Sequence, residues 1–201
     1  IPLRLVGSEM CIRDREEVLK ELHDGMRVLD MCTGSGCILL SLLHYSNACE
    51  GLGVDLSADA LEVAEQNAET LLDAVNADRV HFLQSDLFDK VEGKFEIIVS
   101  NPPYIASAEV EKLMPEVRDH EPRMALDGTE DGLHFYRRII EEAGKHLVSS
   151  GMLFFEIGYD QGWAVSSMMK EAGFEDVCVK KDLARNDRVV CGHKHLCEKR
   201  G

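Results

Sequence analysis

Met26-Arg27-Val28-Leu29-Asp30-Met31 runs into Cys32-Thr33-Gly34-Ser35-Gly36, a short apolar stretch followed at once by two closely spaced glycines. The stretch predicts a first strand, and Gly36 to His44 predicts a helix that opens directly from the turn. Glycines at such a junction let the backbone turn tightly and come close to a ligand.

Outward from this unit the pattern repeats. Gly51-Leu52-Gly53-Val54-Asp55 predicts a second strand. Ser57 is a suitable N-cap for a helix carrying Ala60, Leu61, Ala64, Ala68, Leu71, Leu72 and Val75 at three- and four-residue spacing. Val80 to Leu83 and Phe95 to Ser100 predict the third and fourth strands. A long loop is expected from about Ile105 to Asp131, then a helix marked by Leu133 to Leu147 and broken by Ser149-Ser150-Gly151. Met152 to Ile157 predicts a fifth strand, Trp163 to Ala172 a helix, and Val177–Lys180 and Arg188–His193 two closing strands. Strands alternating with helices specify an α/β fold, a mostly parallel seven-stranded sheet with helices on both faces. We read one doubly wound domain over residues 16–201. Ile1 to Arg15 show no periodicity and are expected to be a non-native or disordered segment.

Composition narrows the function. The formal net charge is −15, which disfavours a phosphate backbone as partner, because duplex binding needs several Lys or Arg contacts. No apolar run approaches the ~18–20 residues of a membrane span. Seven cysteines, an odd number without a C-x-x-C pair, fit a reducing cytoplasm better than a disulfide framework.

Asp55 follows Gly36 by 19 residues and ends the second strand, where a carboxylate can accept hydrogen bonds from both hydroxyls of a ribose. The turn has G-x-G but carries Leu39 where a dinucleotide fingerprint has its third glycine. Asp30 would also lie unfavourably close to a pyrophosphate. A cofactor without phosphates, carrying a sulfonium and an ammonium, suits the site: S-adenosylmethionine. An ordinary tight strand–helix turn is the structural alternative.

Asn101-Pro102-Pro103-Tyr104 ends the fourth strand, where ligands of open α/β sheets bind. An amide or aromatic amine nitrogen is a poor nucleophile because its lone pair is delocalised. Acceptors that take its two N–H groups orient it and favour pyramidal geometry. The Asn101 side-chain oxygen and the Pro102 carbonyl are candidates, Pro103 stiffens the loop, and Tyr104 offers a flat face. A plain turn with a capping Asn is the alternative.

These words, with Ser85-Asp86-Leu87-Phe88, Val117-Arg118-Asp119-His120-Glu121-Pro122, Ala125-Leu126-Asp127-Gly128, Asp131-Gly132-Leu133, Glu156-Ile157-Gly158 and Gln161, resemble the HemK/PrmC family, the glutamine methyltransferases of peptide-chain release factors. The resemblance covers about residues 16–193. It implies a Rossmann-like class I methyltransferase fold. It also implies a cofactor site at Asp30, Cys32, Thr33, Gly34, Ser35, Gly36, Asp55, Leu87 and Asn101, and a substrate glutamine held at Asn101 to Tyr104, with Asn101 and Pro102 catalytic. The N-P-P-Y tetrapeptide alone is shared with enzymes that methylate amino groups of DNA and RNA. The family's helical N-terminal domain is expected to be absent, and only Arg15-Glu16-Glu17 stands where the family has Pro-Arg-Pro-x-Thr-Glu. The chain is expected to be a catalytic domain on its own. A ribosomal-protein glutamine methyltransferase, an adenine-N6 methyltransferase and an inactive cofactor-binding fragment are the rival readings.

Cys191, His193, His195 and Cys197 alternate, but same-face residues on a strand stand roughly 7 Å apart. One metal ion bonds at ~2.0–2.3 Å and could not collect all four. Glu156 reads as a strand-end residue near the site, not as a required base.

Overall fold

The computed structural model describes residues 17–46, 50–72, 78–115 and 122–195. The expected extension Ile1–Arg15, residues 117–121 of the resemblance, Val75 and Cys197 lie outside the described residues.

The strands are β1 (Arg27–Met31), β2 (Glu50–Asp55), β3 (Val80–Gln84), β4 (Phe95–Ser100), β5 (Leu147–Glu156), β6 (Phe174–Lys181) and β7 (Asp187–Lys194). They form one seven-stranded sheet in the order β3-β2-β1-β4-β5-β7-β6. The pairs from β3 across to β5 are parallel, while β7 is antiparallel to both β5 and β6. The helices are α1 (Cys37–Tyr45), α2 (Ala58–Leu71), α3 (Ser107–Val110), α4 (Arg123–Leu126), α5 (His134–His146) and α6 (Gly162–Glu171). A helical turn over 17–21 precedes β1. This is the Rossmann-like, doubly wound arrangement that the sequence predicts.

Alternation along the strands sorts the core into two layers. Leu29, Met31, Ile98, Leu153 and Phe155 pack with Tyr136, Ile139 and Val165 of α5 and α6. Val28, Ile97, Val99 and Phe154 pack with Leu39, Leu42 and Leu43 of α1. Burying each such aliphatic side chain contributes about 1.5–3 kcal/mol. Helix α2 begins where expected, with the Ser57 hydroxyl accepting the Ala60 N–H at 3.2 Å.

Three local expectations are corrected. Ser149-Ser150-Gly151 does not separate helix from strand: α5 ends at His146, and β5 begins at Leu147. The three residues instead form a bulge, because Phe95 pairs with Leu147 while Ile97 already pairs with Met152. Ser150 takes a left-handed φ of 62° to make it. The segment Ile105–Asp131 is not a featureless loop, since it carries α3, α4 and a parallel bridge from Ile105 to Asp127. Strand β6 starts at Phe174, before Val177, because a register shift between Glu175 and Cys178 lets the ladder continue past Asp176 at φ 50°.

Candidate active site

Between β1 and β4 the strand order reverses direction, and crevices at such switch points are where open α/β sheets bind ligands. Pairing register decides which residues meet there. Met31 of β1 pairs with Val54 of β2 and with Ser100 of β4, and Ser100 pairs with Phe155 of β5. The next residue on each strand is therefore Cys32, Asp55, Asn101 and Glu156, one row across the carboxyl edge of four strands. The structure thus brings together the glycine turn, the spaced acid and the N-P-P-Y loop.

The glycine turn is built by its own hydrogen bonds. Thr33 N–H donates to the Val54 carbonyl at 2.9 Å, and Gly36 N–H to the Thr33 carbonyl at 2.9 Å. Asn67 of α2 donates to the Ser35 carbonyl at 2.9 Å. Gly36, at φ 78°, is the N-cap of α1. Gly34, at φ 55°, has nothing within 4 Å of where a Cβ would stand. That side of the turn is open for a ligand to lie against the backbone.

Two acids serve this turn in different ways. Asp55, partly exposed, accepts the Gly34 N–H at 2.8 Å on Oδ2 and the Ser57 N–H at 2.9 Å on Oδ1. Asp30 is 1% exposed. Its Oδ2 accepts the Thr33 hydroxyl at 2.7 Å and the Leu39 N–H at 3.3 Å, while its Oδ1 is buried without a partner. Burial raises the Asp30 carboxyl to about 7, against the lowering effect of Thr33 and Leu39. A cationic group beside Asp30 would reverse that shift. Burial also pushes the Cys32 thiol well above its ordinary range, and Asp55 and Asp30 add to the effect, so it stays a thiol at neutral pH.

Cys32 at φ 61° and Leu87 at φ 47° both hold left-handed backbone, which costs an L side chain energy. Both are residues that the resemblance places in the cofactor site; Thr129, Ser150, Asp176 and Arg185 hold positive φ elsewhere in the chain. Leu87 is buried, 5% exposed, on the turn after β3.

The N-P-P-Y loop is pinned at both ends. At its start, the buried Ser100 hydroxyl donates to the Met31 carbonyl at 2.6 Å, locking β4 to β1 across the switch point. At its end, the Ile105 N–H donates to the Leu126 carbonyl at 3.0 Å, and Gly128 N–H returns to the Ile105 carbonyl at 2.8 Å. Gly128 and Gly132 press against this strand end: a Cβ on Gly128 would stand 2.8 Å from the Pro103 carbonyl oxygen, and one on Gly132 too close to the Tyr104 carbonyl oxygen for any side chain. Pro102 is buried, and Asn101, Pro103 and Tyr104 are partly exposed.

Sequence reasoning did not find Ser57 as a partner of Asp55, or a role for Ser100, Gly128, Gly132 and Gln161. The last four stood among the family words, but a linear motif carries no contact. Glu156 is 3% exposed, with Oε2 buried and unpartnered, in the same row as Asn101. Of the alternating Cys and His residues, Cys191 and His193 lie on β7, which ends at Lys194, and Cys191 meets Cys178 at 3.1 Å; His195 sits beyond the strand with Nδ1 2.5 Å from Glu175 Oε1. Among the described residues no cluster of His, Cys, Asp or Glu is placed to hold a metal ion, and no helix is long and apolar enough to cross a membrane.

Residues 14–117 match the methyltransferase small domain model. The release factor glutamine methyltransferase of Agrobacterium fabrum is 47% identical over 165 residues, 82% of this chain and 56% of that protein. The protein of the same name from Clostridium acetobutylicum is 45% identical over 173 residues, 85% of this chain and 60% of that protein. The chain thus spans about three fifths of the length of these curated relatives. A solved release-factor-specific protein-(glutamine-N5) methyltransferase from Alicyclobacillus acidocaldarius superposes with TM-score 0.57 at 28% identity, covering 97% of this chain and 98% of that one. A methyltransferase from Pyrococcus furiosus superposes with TM-score 0.67 at 20% identity, covering 92% and 83%, and supports the class I methyltransferase fold alone. The chain belongs to the methyltransferase small domain family, among relatives named release factor glutamine methyltransferases.

Proposed function

We propose that this chain binds S-adenosylmethionine at the switch point and methylates the side-chain amide nitrogen of a glutamine in a peptide-chain release factor, in the cytoplasm. The observation that carries the reading is the single row of Cys32, Asp55 and Asn101 at the carboxyl edge, which sets the glycine turn and the N-P-P-Y loop side by side.

The residues fit the cofactor. The open side of Gly34 admits a ligand, Asp55 has acceptor capacity beyond its two backbone bonds, and the orphaned Oδ1 of Asp30 suits a cation. When bound, S-adenosylmethionine supplies an electrophilic methyl group on a sulfonium. Asp55 would accept from the ribose hydroxyls, Leu87 would pack against the adenine, and the turn Cys32–Gly36 would hold the amino-acid end. Asn101 and the Pro102 carbonyl accept the two N–H groups of the substrate amide and present its lone pair. Catalysis is then chiefly orientation, and the spare amide proton leaves to solvent.

The test is transfer of labelled methyl from S-adenosylmethionine by the recombinant chain to a bacterial release factor, a ribosomal protein mixture and an adenine-containing RNA in parallel. Label on one glutamine of the release factor is expected. Label on the ribosomal proteins or RNA, with none on the release factor, overturns the substrate assignment, and no cofactor binding at all overturns the reading.

A further inference from the structure

Gln161 lies outside the row of site residues, on the loop between β5 and α6, yet all of its side-chain amide is engaged. Nε2 donates to the Tyr104 carbonyl at 3.0 Å and to the Gly132 carbonyl at 3.2 Å. Oε1 accepts the Gly158 N–H at 3.0 Å and faces the Tyr136 hydroxyl at 3.5 Å. The Gln161 N–H returns to the Gly158 carbonyl at 3.0 Å, so the two residues hold each other.

The side chain is not serving its own helix. Gln161 stands at the N-cap position of α6 but makes no side-chain cap hydrogen bond; its backbone carbonyl starts the helix by accepting the Val165 N–H at 3.0 Å. The side chain points the other way, to three loops at the carboxyl edge. It is also held firmly there. Tyr136, fully buried, donates its hydroxyl to the Glu156 carbonyl at 2.9 Å beneath it, and a Cβ on Gly132 would meet Gln161 Nε2 at 3.0 Å.

The consequence falls on the N-P-P-Y loop. Its two prolines have fixed φ, and Ser100 anchors its start to β1. A loop so stiff, fixed at Ser100 and again at the Tyr104 carbonyl, has little freedom left at Pro102. We propose that Gln161 is a positioning residue: by holding the Tyr104 carbonyl it sets where Asn101 and the Pro102 carbonyl stand when they receive the acceptor amide. This rests on the reading of Asn101 to Tyr104 as the substrate-amide site.

The test uses Gln161→Met, which keeps length but no hydrogen bonds, and Gln161→Glu, which at neutral pH turns oxygens toward the Tyr104 and Gly132 carbonyls. Ile139→Val, a truncation of a buried α5 side chain that makes none of the Gln161 hydrogen bonds, serves as the control for a plain loss of stability. Both Gln161 variants should bind S-adenosylhomocysteine with wild-type affinity. Their single-turnover methyl transfer at saturating cofactor and release factor should fall about 10- to 100-fold, the scale of a small misplacement of reacting groups. Amide hydrogen exchange in the peptide spanning 99–106 should quicken in both, while β1 and α1 stay protected. Wild-type transfer rates in both variants overturn the inference, as does a loss matched by Ile139→Val or accompanied by equal loss of cofactor affinity. If the wild-type chain methylates no glutamine, the substrate reading fails separately. Hydrogen exchange then decides the clamp: unchanged exchange at 99–106 overturns it, and quickened exchange there supports it.

Discussion

Asp55 Oδ2 accepts the Gly34 N–H at 2.8 Å, so the acid that ends β2 braces the glycine turn that follows β1. Its other oxygen accepts the Ser57 N–H at the start of α2. A carboxylate offers about four acceptor sites, which leaves capacity for a ribose. Asp55→Ala should therefore weaken cofactor binding by about 1–3 kcal/mol, the cost of losing hydrogen bonds to a charged acceptor. It should also lower the melting temperature, because two backbone donors lose their partner. Asp55→Asn should do less of both. Calorimetry with S-adenosylhomocysteine checks the ranking, and unchanged affinity in the Ala variant removes the ribose assignment.

The two turn glycines should fail in different ways. Gly34→Ala meets open space, so only its left-handed backbone is strained, at about 1–2 kcal/mol. Its main effect should be on cofactor affinity. Gly36→Ala adds crowding to similar strain, with Leu40 at 3.1 Å and Ala64 at 3.2 Å from the new methyl. Its main effect should be on stability. Denaturation midpoints and titration calorimetry on both variants test the contrast, and the reverse ranking would show that the open side of Gly34 is not where the ligand lies.

Asp30 should make the free protein less stable as pH rises. Its carboxyl is raised from 3.8 to about 7 by burial, so between those values the folded chain keeps a proton that the unfolded chain has released. Stability therefore declines across that window, by about 1.4 kcal/mol for each tenfold difference in proton affinity between the folded and unfolded chain, and above about 7 the full cost of the buried charge remains. Asp30→Asn should flatten the decline and raise the melting temperature at about pH 8. A bound cation favours the ionised form, so cofactor binding near neutrality should release a proton in wild type and none in Asp30→Asn. Calorimetry in buffers of different ionisation enthalpy measures this directly.

Asn101→Ala should lose about 3 kcal/mol or more in turnover, on the scale of removing one preorganised polar group from an active site. Cofactor affinity should change less than turnover. The residue follows the last paired residue of β4 and is partly exposed, so the fold should survive, with an unchanged circular dichroism spectrum. Near wild-type methylation of a release-factor glutamine by this variant would end its assignment as the orienting acceptor.

Tyr136→Phe tests the floor under the site. The hydroxyl is fully buried and donates to the Glu156 carbonyl, and burial holds it protonated by raising its pKa. Removing it should cost about 1–3 kcal/mol, because the carbonyl left behind is shut away from water. Chemical denaturation reads the loss. A neutral result would mean that water reaches the Glu156 carbonyl.

The fold class and the ingredients of the site can be read from consecutive residues. Apolar runs alternating with helical periodicity mark the strands and helices, the glycine turn after Val28-Leu29-Asp30 has a meaning tied to its neighbours in the chain, and Ser57 caps α2 where its residue type says it should. Bulges are not legible in this way. Ser149-Ser150-Gly151 reads as a helix stop, yet it is absorbed into β5 because the ladder resumes at Ile97 and Met152, a pairing that depends on another strand. The same limit governs the site. Asp55 reads along the chain as a candidate ribose acceptor and not as a brace for Gly34, 21 residues away, and Gln161 is visible as a letter in a motif and not as the donor to Tyr104, 57 residues away. Periodicity and turn chemistry are properties of neighbouring residues, so they are written along the chain. Which donor meets which acceptor at the carboxyl edge is decided by strand order and register, and those exist only once the sheet has formed.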